Sequence, residues 1–184
     1  MDRITLASNI RHCLIIFLFV SFLLAMISST LHGVVLGALG ASALGSSAFL
    51  VFSMPNSPVS RNQCILGGYA IAIACGLCAY GMLTFMVTLG IDGSYEYGNG
   101  WFHLTAHELF GALAIALASL LMLWFRVPHP PAAGLSLGLV LDVWDIGTLS
   151  VIAIALFVLV FIHTLLRYNN GQLSGMDRSQ SKHL

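Results

Sequence analysis

The chain has 184 residues, 58% of them hydrophobic and 8% charged, with seven basic and seven acidic side chains that balance to a net charge of zero. That charged share is about a third of what soluble domains carry, and apolar runs of about 18 residues or more recur. The composition therefore excludes an ordinary soluble globule, points to a polytopic protein in a lipid bilayer, and removes the electrostatic case for nucleic acid as a partner.

The first apolar run follows Arg3 and Arg11 and resembles a signal peptide. Its length, Leu14 to Ile27, and the lack of a small-x-small cleavage site favour a first membrane span over about His12 to Thr30. The second segment, Gly33 to Ser53, is punctuated by Gly33, Gly37, Gly40 and Gly45, and only Ala41 to Phe52 reads as clean helix. A polar loop with Pro55 and Pro58 leads to a third span, Cys64 to Leu89. An acidic loop with Asp92 and Glu96 precedes the fourth, Trp101 to Phe125.

Arg126-Val127-Pro128-His129-Pro130-Pro131 then imposes a stop and a restart. Proline lacks a backbone N–H and is tolerated only in the first turn of a helix. A new helix is predicted with His129 before it, Pro130 at its first position, and its end near Asp142. At about 20 Å it is shorter than a hydrocarbon core of about 30 Å. A short acidic turn and a last span, Thr148 to Tyr168, complete the membrane part.

The expected fold is thus all-α: a membrane helix bundle of six segments, with segments two and five short or broken. Residues 1–168 form one transmembrane domain, and 169–184 a mobile cytoplasmic tail. With six crossings, all seven Lys and Arg residues fall on one face: Arg3, Arg11, Arg61, Arg126, Arg167, Arg178 and Lys182. By the positive-inside rule both termini are cytoplasmic, in a prokaryotic inner (plasma) membrane. Six segments divide three and three. The interrupted segments two and five then correspond in opposite orientations, as in an inverted-repeat transporter or channel.

Two helix starts carry the candidate chemistry. Starts at Ala41-Ser42 and at His129-Pro130 would offer N–H groups and partial positive charge inside the bilayer, which favours a small anion. Ala41, Ser42, Ser46, His129, Pro130 and Ala132 are the candidate binding residues, and Ser47 is a further hydroxyl donor. The competing account of the glycines is helix packing, since small residues let membrane helices approach closely. His129 could equally be a capping residue. His107 and Glu108 could relay protons from an outer vestibule. His103, His107 and Glu108 share a helix face, but no second His/Cys pair matches their depth, so neither metal nor cofactor is expected. Cys75 and Cys78, mid-span and without a cationic neighbour, are read as structural small residues.

The run His129-Pro130-Pro131-Ala132-Ala133-Gly134 resembles the signature of the HPP family of integral membrane proteins. Gly40-Ala41-Ser42-Ala43, the Ser57-Pro58 pair and Gly67-Gly68 follow the family's order. Arg61-Asn62-Gln63 departs from the usual Gln-Pro-Arg. The resemblance implies a small multi-span protein, with some members linked to nitrite transport. The function expected on this basis is non-enzymatic: a transporter or channel for a small inorganic anion, nitrite first, in a chain that could form a homo-oligomer. The alternatives are a membrane metal enzyme built on His103, His107 and Glu108, and a non-transporting scaffold.

Overall fold

A computed structural model describes residues 34–90, 106–142 and 146–180, together with helical residues 14, 15, 17, 18 and 21 of the first apolar run. Helix α1 is Val34–Ser53, α2 Asn62–Thr88, α3 Ala106–Trp124, α4 Pro130–Leu141 and α5 Ile146–Gln180, with a single 3₁₀ turn at Pro58–Ser60. All regular structure among the described residues is helical. Trp101, His103 and Trp144 lie outside the described residues.

Helices α2 and α3 are long and apolar enough to cross a membrane. Their side-chain pattern is the reverse of a soluble core helix. Large apolar residues point outward: Leu66, Met82 and Phe85 on α2, and Leu113, Leu120 and Leu123 on α3, are all exposed. Small residues point inward: Gly68, Ala72, Gly76 and Ala79 on α2, and Gly111, Ala114 and Ala118 on α3. Lipid solvates the outer faces at no cost, and small inner residues let backbones come close.

The helix received by those inner faces is α4. It packs against α1, α2 and α3, and seven of its twelve residues are buried, so the shortest helix sits at the core of the bundle. Its approach to α2 leaves no room for a Cβ. One placed on Gly68 would lie 2.6 Å from the His129 Cβ, and one on Gly76 would lie 2.9 Å from both the Leu139 Cβ and the Ser136 carbonyl oxygen. By contrast, a Cβ on Gly134 would meet nothing within 4 Å.

One end of the bundle forms a rim. There α1 ends, the Pro58–Ser60 turn runs across, α2 and α4 begin, and α3 ends. The buried Ser60 hydroxyl serves the end of α1, lying 3.1 Å from the Leu50 carbonyl and 2.8 Å from that of Met54. Asn62 ties the start of α2 to α5. Its carbonyl oxygen accepts from His163 Nδ1 at 2.6 Å, which fixes the amide orientation, and its NH₂ donates to the Thr164 hydroxyl at 2.9 Å. Arg61 and Arg126 are both exposed at this rim, so these two basic residues share one end, as the charge pattern predicts.

Three expectations change. The glycine-rich part of segment two does not break: α1 runs unbroken from Val34 through Gly40, Ala41 and Gly45 to Ser53. A helix start at Ala41 is therefore absent. Gly40 explains part of this, because its Cα faces Ile152 of α5 and Leu135 of α4, and such packing offsets the roughly 1 kcal/mol that glycine costs a helix. Second, α4 is short as predicted but begins at the rim rather than inside the slab. It spans about 18 Å and stops within the bundle. Its Leu137 and Leu141 both reach Gly111 of α3, and Val140 clusters with Ala79 and Leu83 of α2. Third, α5 continues as helix to Gln180, beyond the Tyr168 at which the last span was expected to end.

Gly68→Ala should therefore destabilise the protein by roughly 1–3 kcal/mol, the range for overpacking. Gly134→Ala should be neutral or stabilising by up to about 1 kcal/mol. Thermal unfolding of both variants in detergent measures the contrast; equal effects would contradict the α2–α4 contact.

Candidate functional site

Between the starts of α4 and α2 and the second half of α1 lies a buried polar network. His129, the residue before α4, is 0% exposed, as are Ser47 of α1 and Tyr69 of α2. An imidazole buried this deeply requires a partner at each nitrogen. Nδ1 is 3.0 Å from the Val59 carbonyl in the rim turn, and Nε2 is 2.8 Å from the Ser47 hydroxyl. The Tyr69 hydroxyl is 3.0 Å from that same Ser47 oxygen. The Tyr69 and His129 rings lie 5.7 Å apart, tilted by 43°.

These contacts fix the protons. A carbonyl only accepts, so His129 Nδ1 carries a hydrogen and donates to Val59. In a neutral ring Nε2 is then an acceptor, and the Ser47 hydroxyl donates to it. The Ser47 oxygen in turn accepts from Tyr69. The chain of donors runs Tyr69 to Ser47 to His129 to Val59, linking α2, α1, the start of α4 and the rim turn. A protonated ring would reverse only Ser47, whose hydroxyl also has the Ala43 carbonyl at 2.9 Å. The network thus has a satisfied arrangement for either charge state of the ring.

The amides expected to hold an anion are occupied or absent. The first two residues of α4, Pro130 and Pro131, have no N–H to offer. The next amide, Ala132, donates to the His129 carbonyl at 3.0 Å. Two of the orphan donors of an ordinary helix start are therefore removed by covalent structure, and a third is satisfied within the turn. His129 itself has both nitrogens committed. On α1, Ala41 is buried, its amide inside the unbroken helix. Ser42 and Ser46 are exposed and donate back to their own helix, to the Leu39 carbonyl at 3.0 Å and the Ser42 carbonyl at 2.8 Å.

His107 and Glu108 are exposed at the start of α3, at the opposite end of that helix from the rim. Among the described residues, no group of three or more His, Cys, Asp or Glu side chains comes together as a metal site. Cys75 is buried and Cys78 exposed, both as free thiols.

Sequence reasoning named Ser47 only as a further hydroxyl donor, without its buried contact, and did not single out Tyr69. The signal was present: Leu44, Ala48 and Val51 mark the buried face of α1, and Ser47 falls on that face while Ser46 does not. Tyr69, a phenol inside an apolar span, required a partner for its hydroxyl.

Among known proteins, a family model described as HPP, transmembrane region, matches residues 2–176 of this chain. No curated protein and no solved structure matches it.

Removing the Ser47 hydroxyl strands both Tyr69 and His129. Ser47→Ala should therefore cost roughly 1–3 kcal/mol in detergent unfolding experiments. In ¹⁵N spectra of histidine-labelled protein, neutral His129 should appear with hydrogen on Nδ1. A ring with hydrogen on Nε2 alone would contradict the assigned donor chain.

Proposed function

The chain belongs to the HPP family of membrane proteins, and on that footing we propose that it carries a small solute across the bilayer without performing a reaction on it. The observation that supports this is the partial span of α4. A twelve-residue helix enclosed by three others begins at one rim and stops inside the bundle. At about 18 Å it is shorter than a hydrocarbon core of about 30 Å, so its last carbonyls would lie at membrane depth. Non-helical backbone at that depth is tolerated only where protein buries it or a watery cavity meets it. Interrupted helices of this kind are where transporters and channels bind what they carry.

The six-segment, inverted 3+3 arrangement, with α4 as a partial span, belongs to the same proposal. Its support is that α1 ends at the rim where α4 begins, so the two corresponding segments run in opposite directions. Within the proposal the solute is a small anion, with nitrite first, as the family resemblance implies, and the basic rim faces the cytoplasm. The anion does not depend on free amides at the start of α4. It would enter past the exposed Arg61 at the rim, where positive charge raises the local anion concentration.

Proteoliposomes test this directly. Purified protein should raise nitrite uptake several-fold over protein-free vesicles, with Gly68→Ala lowering it by displacing α4. A Ser42→Ala/Ser46→Ala double variant should leave uptake unchanged if the path follows α4. Loss of uptake in that variant would instead place the anion on the outer face of α1. Uptake no faster than in empty vesicles, for nitrite and for a panel of other small anions, would remove the proposal.

A further inference from the structure

At the corner between α3 and α4, two features remain that neither the buried network nor the carriage of a solute uses. The first is a mostly apolar cavity of about 220 Å³ walled by Met122, Leu123, Pro128, Pro130 and Ala133, with Ser119 its one hydroxyl. His129 also borders it, but with its nitrogens held by Ser47 and Val59 it presents carbon. A hollow with so few polar partners does not hold ordered water. Leu123 on its wall is 67% exposed, so the cavity opens where lipid surrounds the bundle.

The second feature is Arg126. Its φ of +57° makes it the one non-glycine residue with positive φ among the described residues. It sits at the end of α3 in a left-handed cap, with the Val127 amide donating to the Met122 carbonyl at 2.9 Å and the Arg126 amide to that of Leu123 at 3.2 Å. This cap is the position where helices ordinarily place glycine, because a Cβ is strained there. The backbone therefore gains nothing from arginine, and the exposed side chain is what the position supplies. Beside it Trp124 and Phe125 are also exposed. A cation and aromatic rings at the end of an apolar helix mark the depth of lipid headgroups.

We propose that this corner binds an anionic phospholipid. The Arg126 guanidinium holds the headgroup phosphate, a pairing its planar fork suits, and an acyl chain occupies the cavity below. The charge selects an anionic headgroup over a zwitterionic one, and the apolar walls select a lipid over a free anion.

The test uses the full chain with Trp101→Phe and Trp144→Phe, so that Trp124 alone reports, in nanodiscs containing brominated-chain phosphatidylglycerol or phosphatidylcholine. Phosphatidylglycerol should quench Trp124 several-fold more per mole than phosphatidylcholine. Arg126→Gly should abolish that preference while the protein unfolds at the same or a higher temperature, since glycine relieves the left-handed cap. This outcome separates a headgroup contact from a structural role. Equal quenching by the two lipids in the parent protein would overturn the proposal, as would a preference that survives Arg126→Gly. Loss of the preference on adding inorganic phosphate would overturn the acyl-chain contact and leave a site for a free anion. None of these readouts depends on whether nitrite is carried.

Discussion

A histidine sealed inside a membrane bundle is costly unless its ring nitrogens meet partners, and the way His129 meets that demand organises what lies around it. Its two contacts come from α1 and the rim turn, and its Cβ rests where Gly68 of α2 has no side chain. One residue thereby locks the start of α4 to two helices and a loop. The prolines that follow commit the chain to helix at once. They also dispense with the amides that would otherwise need a ligand. The start of α4 is consequently a closed joint, and its other end packs against α2 and α3.

That polarity bears on function. A helix that begins inside the slab presents positive partial charge there; one that ends inside presents carbonyls and negative partial charge. In the arrangement proposed above the second case holds, with α4 running inward from the rim that carries Arg61 and Arg126. Any anion path must therefore draw on basic residues and side chains along the route. The buried network is better suited to holding α4 in place than to releasing and rebinding a solute. Its ability to accommodate either charge state of His129, by turning one serine hydroxyl, means that a proton can arrive without dismantling the joint.

What could be read from the residues alone was the part governed by covalent constraint. Prolines 130 and 131 can only be a helix start, so the boundary at His129 and the shortness of α4 were legible. Long apolar runs likewise defined both ends of α2 and the far end of α3 to within about two residues. The glycines of α1 were not legible, because the same residue breaks a helix in water and lets a neighbour approach in a membrane. Gly40 took the second role against Leu135 and Ile152. Depth was the other hidden quantity: sequence shows that α4 is short but not which of its ends lies at the surface. The His129 contact with the rim turn decides that, and it joins residues far apart in the chain. The role of Ser47 over Ser46 was within reach of helical periodicity, while the Tyr69 contact needed the tertiary fold.

The account stands on α4 entering from the rim and stopping within the bundle, and the depth of its far end measures this most directly. In a background with all four native cysteines replaced, nitroxide labels at Leu141 and at Thr88 can be compared by collision accessibility to oxygen and to a polar nickel reagent in bilayers. The label at Leu141 should lie measurably deeper than the one at Thr88, because Val140 packs beside Ala79 and Leu83, more than a turn before α2 ends. Labels at equal depth, both at the water interface, would mean that α4 crosses the membrane completely and would contradict the account.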